Sequence, residues 1–377
     1  MSAVSSPAKA IVRTSGALAL AAAITWVGRA AWGLPFALGA FPAALRAVTQ
    51  GSPQFRGGRF VNSEPSPTIT AADGTSIARA LLTRGDRGRP AGPVPLARSG
   101  RTPDVAADLA ATWYGHATAM VEVDGQRILL DPVWGDRVSP SPTVGPRRLH
   151  PPPVPLEDIP AVDAVLISHD HYDHLDLPTV RSLIRTQTAP FVVPLGVGAH
   201  LRRWGAPDER IIELDWGQHA DVGGLRLTCT QARHFSGRGL TRDNTLWSSW
   251  VIRGSRNRVY FGGDTGYTAG FADIGREHGP FGLTLLPIGA YGAQWPHIHM
   301  NPEEAVRAHR DLGGDVLLPI HWATFDLAFH AWAEPVQRLW VAAAELGVPL
   351  ALPRPGQRIT NDKPPPIEDW WTALTRA

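Results

Sequence analysis

The sequence ISHDHYDHL at residues 167–175 is the most informative segment of the chain, because it places three histidines and two aspartates within six consecutive positions. In an extended segment, residues two apart face the same side, so His169 and His171 can bind one metal ion while Asp173 and His174 reach a second. Zinc accepts imidazole nitrogens and carboxylate oxygens as ligands. A histidine-rich surface loop is the alternative, but the pattern His-x-His-x-Asp-His favours two metal ions about 3.5 to 4 Å apart.

One loop cannot enclose two metal ions, so further ligands must come from elsewhere in the chain. Three candidates, His234, Asp264 and His321, each follow a run of residues typical of a β-strand. Asp264 lies in the run GGDTG, whose small residues allow close approach of the backbone. Singly, each candidate has an ordinary alternative, a packed histidine or a turn aspartate. Together they predict a metal site at one edge of a sheet sandwich.

The order of these ligands, HxHxDH at residues 169–174 followed by His234, Asp264 and His321, resembles that of the metallo-β-lactamase superfamily. Longer runs resemble its branch of zinc-dependent phospholipases D that hydrolyse N-acylphosphatidylethanolamine. These runs are SHDHYDHLD at 168–176, LWSSW at 246–250, FGGDTGY at 261–267, LPIGAY at 286–291, NPEEA at 301–305 and IHWATF at 320–325. The resemblance implies an α/β (α+β) domain with the four-layer αβ/βα metallo-β-lactamase fold, in which helices flank two packed mixed sheets.

The same resemblance implies a role for each ligand in a centre of two zinc ions with a bridging hydroxide. The ligands of the first zinc ion would be His169, His171 and His234, and those of the second Asp173, His174 and His321. Asp264 would bridge the two ions, and Asp173 and Asp264 would also be catalytic residues. Asp131 would orient a ligand histidine. The alternative for Asp131 is a turn residue before Pro132.

Three residues outside the ligand set are candidates for contact with the substrate. Arg238 and Arg242 follow His234 closely, and a phosphodiester needs cations beside its anionic oxygens. We expect Arg238 to hold these oxygens as a catalytic residue. His299 is expected to face the cleft near the metals and to act there as a catalytic residue. The alternatives are solvated surface arginines and a structural histidine.

Composition limits the classes of function. The net charge is only +2, and lysine occurs only at positions 9 and 363, so no basic cluster predicts nucleic-acid binding. The scarcity of lysine also excludes the His-x-Lys chemistry of other phospholipases D. Cys229, the only cysteine, excludes an internal disulfide and is expected to pack in a strand. The sequence has no nucleophile elbow, Walker loop or dinucleotide fingerprint.

We divide the chain into four segments. They are an apolar N-terminal segment (1–50), a Pro/Gly-rich arm or linker (51–108), a catalytic domain (109–362) and a C-terminal tail (363–377). Residues 14–45 carry one charge, Arg29, which splits them into pieces shorter than a spanning helix. They suit a cleaved signal peptide, an interfacial membrane anchor or an arm packed on the catalytic domain.

We favour membrane association through residues 14–45, with Leu34, Pro35, Phe36 and Phe41 as the inserted groups. A cytoplasmic or exported protein is the alternative. Within the core, a hairpin is predicted around Asp124-Gly125 and helices at 178–185, after Asn301 and at 332–346. Asn301 is expected to cap the second of these helices, with Pro302 at its first position.

These observations predict a metal-dependent hydrolase acting on a phospholipid or another small phosphodiester or ester. Its expected reaction converts N-acylphosphatidylethanolamine to an N-acylethanolamine and phosphatidic acid. One alternative is a soluble lactonase or sugar-phosphate hydrolase with the same metals. Another is a non-hydrolytic protein with iron or a structural metal. The motifs make no prediction of oligomeric state.

Overall fold

The computed structural model describes residues 20–66, 74–75, 77, 79–80, 83–97, 103–239, 241–360 and 367–375. The strands in the first half of the chain are β1 (Phe55–Arg56), β2 (Arg59–Phe60), β3 (Leu109–Gly115), β4 (Thr118–Val123), β5 (Gln126–Leu130), β6 (Ala164–Leu166) and β7 (Phe191–Pro194). Those that follow are β8 (Ile211–Leu214), β9 (His219–Val222), β10 (Leu225–Thr230), β11 (Ser249–Arg253), β12 (Arg258–Phe261), β13 (Phe281–Pro287), β14 (Gly314–Ile320) and β15 (Arg358–Thr360).

Residues 20–31 are helical and precede the helices with defined ends. These are α1 (Leu34–Ala37), α2 (Pro42–Thr49), α3 (Leu177–Thr186), α4 (Val197–Arg203), α5 (Gly270–His278), α6 (Pro302–Asp311) and α7 (Glu334–Leu346). Helix α3 confirms the prediction at 178–185, and Asp176 caps it by accepting a hydrogen bond from the Thr179 amide. Asn301 and Glu304 form a reciprocal capping box at the start of α6, as its sequence predicts.

Helix α7 begins two residues later than predicted, at Glu334 instead of Trp332. The amide of Trp332 donates a hydrogen bond to the carbonyl of Arg87, so it takes part in a contact outside the helix. The predicted hairpin is confirmed, since β4 pairs with β5. Asp124 and Gly125 make its turn with φ of +48° and +85°, a conformation that asparagine, aspartate and glycine tolerate best.

Two mixed sheets face each other across the main core. The first has the strand order β15-β3-β4-β5-β6-β7-β8 and the second β14-β13-β12-β11-β10-β9. Side chains alternate along β5, so Ile128 and Leu130 join Ile252 and Leu285 of the second sheet between the sheets. Leu129 points the other way, into a core shared with α3 and α4. Helix α6 packs on β13 and β14 of the second sheet, and α7 packs against α6 and buries Val336 and Leu339 in the same core. Helices therefore flank both sheets, which confirms the predicted fold.

The segments outside the two sheets also pack against them. Phe60 of the β1–β2 hairpin is buried against Trp247. Near the other end of the chain, Trp370 and Trp371 are buried, and the ring of Trp370 stacks on Trp322 with 5.2 Å between centroids. Trp322 in turn stacks on Trp113 of β3. The described parts of the predicted arm and tail therefore contribute to the core. The four segment boundaries themselves stay a prediction.

The apolar N-terminal residues divide into an exposed and a packed part. Residues 20–31 are largely exposed, whereas Ala37 of α1 and Leu45 of α2 are buried. The indole of Trp204 donates to the carbonyl of Phe36, and Arg203 donates to that of Pro35. The helical stretch Leu20–Thr49 is long and apolar enough to cross a membrane by length and composition alone.

Candidate metal centre

Every candidate ligand follows the carboxyl end of a strand. The 167–175 run comes after β6, His234 after β10, Asp264 after β12 and His321 directly after β14. Strand β6 belongs to the first sheet, and β10, β12 and β14 belong to the second. The candidate ligands therefore meet at one shared edge of the two packed sheets. The fold therefore brings together residues that are far apart in the sequence.

The first group of ligand atoms belongs to His169, His171, His234 and Asp264, which lie within 4.8 Å of one another. Nδ1 of His171 is 2.8 Å from Nε2 of His169 and 3.3 Å from Nε2 of His234. The Oδ2 atom of Asp264 lies 3.9 Å from the His169 nitrogen and 3.8 Å from that of His234. These are the residues that the resemblance assigns to the first zinc ion and to the bridge.

The second group belongs to His116, Asp173, His174 and His321. Oδ2 of Asp173 lies 3.5 Å from Nε2 of His174 and 3.4 Å from Nε2 of His321. It is 2.8 Å from Nε2 of His116. Three of these residues are the predicted ligands of the second ion, and His116 is an addition.

Asp264 lies between the two groups. Its Oδ2 atom is 3.1 Å from Nε2 of both His174 and His321, and it faces the first group as well. His299, which was expected to face the cleft, also reaches this carboxylate, with its Nδ1 atom 3.8 Å from Oδ2. His299 forms a third candidate group with Asp264 and His321.

Neighbouring polar groups orient the ligand histidines. Nδ1 of His174 lies 2.7 Å from Oδ2 of Asp131, the carboxylate expected to orient a ligand. Ser168 donates to Asp131 through both its amide and its hydroxyl, and the same hydroxyl contacts Nδ1 of His169. Nδ1 of His234 meets the carbonyl of Ile298. Partners of this kind set the tautomer of an imidazole and leave its other nitrogen available to bind a metal ion.

A glycine permits the close contact between the two ligand loops. Gly263 has φ of +56°, and a Cβ atom built on it would lie 2.5 Å from Cβ of Ser168. Any larger residue would push the loop that carries Asp264 away from the loop that carries His169. The glycine pair before Asp264 therefore has the packing role that the sequence indicates.

The electrostatics of the cluster fit bound cations. Burial alone would raise the pKa of Asp264, but the neighbouring His174 and His321 hold that pKa well below its usual range. Burial and adjacent imidazoles lower the pKa of His169 well below its usual value. Nε2 of His174, Nε2 of His321 and Oδ1 of Asp264 are buried without a hydrogen-bond partner among the described residues. Buried nitrogen and carboxylate donors aimed at one another are suited to metal ions.

Arg238 does not have the surroundings expected of a phosphate-binding residue. It is buried, and its guanidinium donates to the backbone carbonyls of Ala37, Asp170 and Leu175. It also stacks on the ring of Tyr172. Because these contacts occupy the guanidinium and include no side chain of a ligand residue, the expected catalytic role of Arg238 is corrected to a structural one.

Arg242, unlike Arg238, lies where an arginine could contact a substrate beside the metal centre. It is exposed, and its guanidinium lies 4.0 Å from the centroid of the Phe235 ring. That ring packs edge-on against His171, 4.5 Å between centroids. Arg242 thus borders the first ligand group on its solvent side.

His116 is a residue of the cluster that our sequence interpretation did not assign. Its signal was available, since Gly115-His116 follows an apolar strand in the same way as the other candidates. A lone histidine after a strand has no second ligand at metal-binding spacing, so it did not stand out from a structural histidine.

Comparisons with known proteins agree with this geometry. The sequence matches the beta-lactamase superfamily domain over residues 126–322. The chain belongs to the metallo-β-lactamase superfamily. It is 55% identical to an uncharacterized protein of Mycobacterium tuberculosis, over 96% of this chain and 98% of that protein. It is 40% identical to an N-acyl-phosphatidylethanolamine-hydrolyzing phospholipase D of Caenorhabditis elegans over 231 residues, or 58% of this chain and 65% of that enzyme.

Solved structures share the superfamily fold. Igni18, a metallo hydrolase of Ignicoccus hospitalis, superposes with a TM-score of 0.53 at 27% identity, over 67% of this chain and 97% of its own. CmlA, a diiron β-hydroxylase of Streptomyces venezuelae, superposes with a TM-score of 0.54 at 18% identity, over 69% of this chain and 55% of its own. At that lower identity the likeness shows the fold alone. Fold, family and candidate ligands together identify this superfamily member as a metal-dependent hydrolase.

Proposed function

We propose that the protein is a dinuclear zinc phosphodiesterase of the phospholipase D type. Its substrate is N-acylphosphatidylethanolamine, and its products are N-acylethanolamine and phosphatidic acid. The observation that carries this proposal is the complete ligand set in a chain that is 40% identical over 231 residues to a worm enzyme named for this reaction. The match covers 65% of the length of the worm enzyme.

The ligand assignment follows the two groups of side chains. The first ion is held by His169, His171 and His234, the second by Asp173, His174 and His321, and Asp264 is shared. When bound, zinc ions of this kind lower the pKa of a bound water to about 7 and stabilise negative charge on a reacting ester. Buried Asp131 and Ser168 keep the ligand imidazoles in the tautomer needed for metal binding.

Two side chains at the exposed side of the cluster are suited to contact the substrate. Arg242 presents an exposed guanidinium beside Phe235 and His171, where it can pair with an anionic oxygen of a phosphodiester. His299 retains partial exposure, 13% of its side chain, while its Nδ1 atom faces Asp264. We assign to His299 a hydrogen bond with an ester or leaving-group oxygen.

The exposed apolar side chains of the N-terminal segment suit contact with a lipid surface. The pocket beside His116 and His321, which Phe325 and Leu327 help to line, is too small to hold an acyl chain, so the lipid chains stay outside it. Residues 20–32 expose large apolar side chains, among them Leu20, Ile24, Trp26, Val27 and Trp32. We propose that these side chains enter a bilayer and bring the metal centre to its phospholipid.

Turnover of labelled N-acylphosphatidylethanolamine by zinc-loaded protein tests the proposal. Wild type should release N-acylethanolamine and phosphatidic acid, whereas Asp264→Ala should release neither. Asp163→Asn is the matched control, because Asp163 lies before the amino end of β6 and accepts a hydrogen bond from the Arg127 amide. This control should keep its activity.

Other outcomes separate the alternatives. Hydrolysis of a lactone or a sugar phosphate, with no release from the lipid, would keep the hydrolase and reject the phospholipase. Metal analysis of the purified protein adds a second criterion. About two zinc ions per chain support the proposal, whereas iron would contradict the zinc assignment.

A further inference from the structure

His116 has an unusual backbone conformation beside the metal centre. It follows β3 directly and has φ of +52°, in the left-handed region that residues other than glycine seldom adopt. Three hydrogen bonds hold its backbone there. Its amide donates to Oγ1 of Thr324, and its carbonyl accepts from the indole of Trp113 and from the amide of His321. Strained conformations persist where surrounding contacts maintain them, and they are concentrated at functional sites.

This conformation directs the imidazole at one carboxylate oxygen. Nε2 of His116 lies 2.8 Å from Oδ2 of Asp173, the oxygen that faces His174 and His321. The His116 ring is buried, packs against His321 with 4.0 Å between centroids and meets Phe325 edge-on. The packing around the His116 ring keeps its Nε2 atom directed at the Asp173 carboxylate.

The number of donors argues against His116 as a further ligand. The second site already has Asp173, His174 and His321, together with the shared Asp264, which equals the donor set of the first site. Catalytic zinc sites keep a position open for water or substrate, and a fifth protein donor would occupy it. A carboxylate oxygen has two lone pairs, so Oδ2 of Asp173 can bind a metal and accept a hydrogen bond together.

We propose that His116 is a positioning residue, which donates from Nε2 to Oδ2 of Asp173 and holds that oxygen in place for the second metal ion. The proposal rests on the two-metal centre proposed above. It predicts that loss of the donor weakens the second metal and leaves the first in place. Partners of this kind affect metal affinity about 10- to 100-fold.

The experiment measures zinc per chain after dialysis against a chelator, which needs no substrate. His116→Phe keeps a ring beside Phe325 but removes the donor. His116→Gln restores an N–H group at about the position of Nε2. The matched control is His150→Phe, because His150 is also buried and contacts the same Thr324 hydroxyl, at 3.0 Å, but no ligand.

We expect about two zinc ions in wild type, His116→Gln and His150→Phe, and about one in His116→Phe. A titration should show a 10- to 100-fold higher dissociation constant for the second ion in His116→Phe alone. Cobalt(II)-substituted protein should lose part of its visible absorption in the same variant. Thermal unfolding of the metal-free forms measures any general loss of stability.

The remaining outcomes overturn the proposal. Retention of both ions by His116→Phe would show that Asp173 needs no such donor. Equal metal loss in His116→Phe and His150→Phe, with equally lowered unfolding temperatures, would assign His116 to packing. A wild-type chain with fewer than two metal ions would instead overturn the two-metal centre, and this inference with it.

Discussion

Nε of Arg238 donates a hydrogen bond to the carbonyl of Ala37 at 2.7 Å, although the two residues are 201 positions apart. The same guanidinium donates to the carbonyls of Asp170 and Leu175. Three candidate ligands, His171, Asp173 and His174, lie between these two residues in the sequence. Nearby, Nδ1 of His200 accepts from the amide of Ala40. The N-terminal segment is therefore attached to the outer side of the metal-binding loop.

Arg238→Met should destabilise the fold. The substitution leaves three buried carbonyls without their donor, and each unsatisfied group costs about 1 to 3 kcal/mol. We expect the free energy of unfolding to fall by about 3 kcal/mol or more in urea titrations of the metal-free protein. An unchanged midpoint would mean that the carbonyls find other partners.

Arg242→Met should lower activity and leave the stability of the fold nearly unchanged. Arg242 is exposed and contacts Phe235, so its loss should leave the unfolding free energy within about 0.5 kcal/mol of wild type. Without the positive charge of Arg242 beside the anionic lipid, kcat/KM should fall about 10- to 100-fold. Steady-state kinetics on vesicles measures the effect. Normal kinetics would remove Arg242 from the substrate site.

Asp131→Asn should weaken metal binding through His174. The asparagine amide cannot replace both oxygens that contact His174 and Ser168, so the His174 tautomer is no longer set. We expect metal affinity to fall about 10- to 100-fold, measured as zinc retained against a chelator. Asp176→Asn is the control, because asparagine also caps helices and Asp176 caps α3. Equal zinc retention in the two variants would contradict the role of Asp131.

Substitution of exposed N-terminal tryptophans should weaken binding to vesicles. Trp26 and Trp32 are 54% and 81% exposed, so their replacement by serine removes apolar area with little effect on packing. At about 25 cal/mol per Å² of inserted area, binding to vesicles of anionic phospholipid should weaken at least about tenfold in flotation assays. Val105→Ser is the control, since Val105 is 80% exposed elsewhere. Equal flotation of wild type, the variant with both tryptophans replaced and Val105→Ser would reject the proposal that these tryptophans enter the membrane.

The Glu122–Arg358 pair should make stability depend on pH. Burial alone would raise the pKa of Glu122, but hydrogen bonds from Arg358 and from the Ala107 amide lower it below its ordinary value of 4.5. A lowered folded-state pKa means that the pair stabilises the fold above that ordinary value. The contribution is lost as the pH falls through the folded-state pKa.

Glu122→Gln should therefore be less stable than wild type at pH 7, by about 1 to 3 kcal/mol. The difference should shrink below pH 4.5 as wild-type Glu122 gains its proton. Urea unfolding of the metal-free proteins at pH 7 and at low pH measures it. A difference that stays constant with pH would assign the effect to packing and not to the charge.

Local patterns accounted for much of this protein. The periodicity and caps around α3 and α6 predicted the helices, because caps act within one turn of the chain. The run at 169–174 predicted a metal centre, because ligand chemistry and spacing are properties of adjacent residues. The buried position of Arg238 could not be predicted in this way, because proximity to His234 in the sequence does not indicate which way the side chain points.

The sequence therefore contained the chemistry of the site, its ligand types and the strands that carry them. Only the packing of the two sheets determined which side chains lie close enough to share a metal ion, that His116 meets Asp173, and that Arg238 is buried with a hydrogen bond to Ala37. These contacts join residues from distant elements, and burial against the whole fold selects them. No short segment of the chain contains all the partners that surround any one histidine of the cluster.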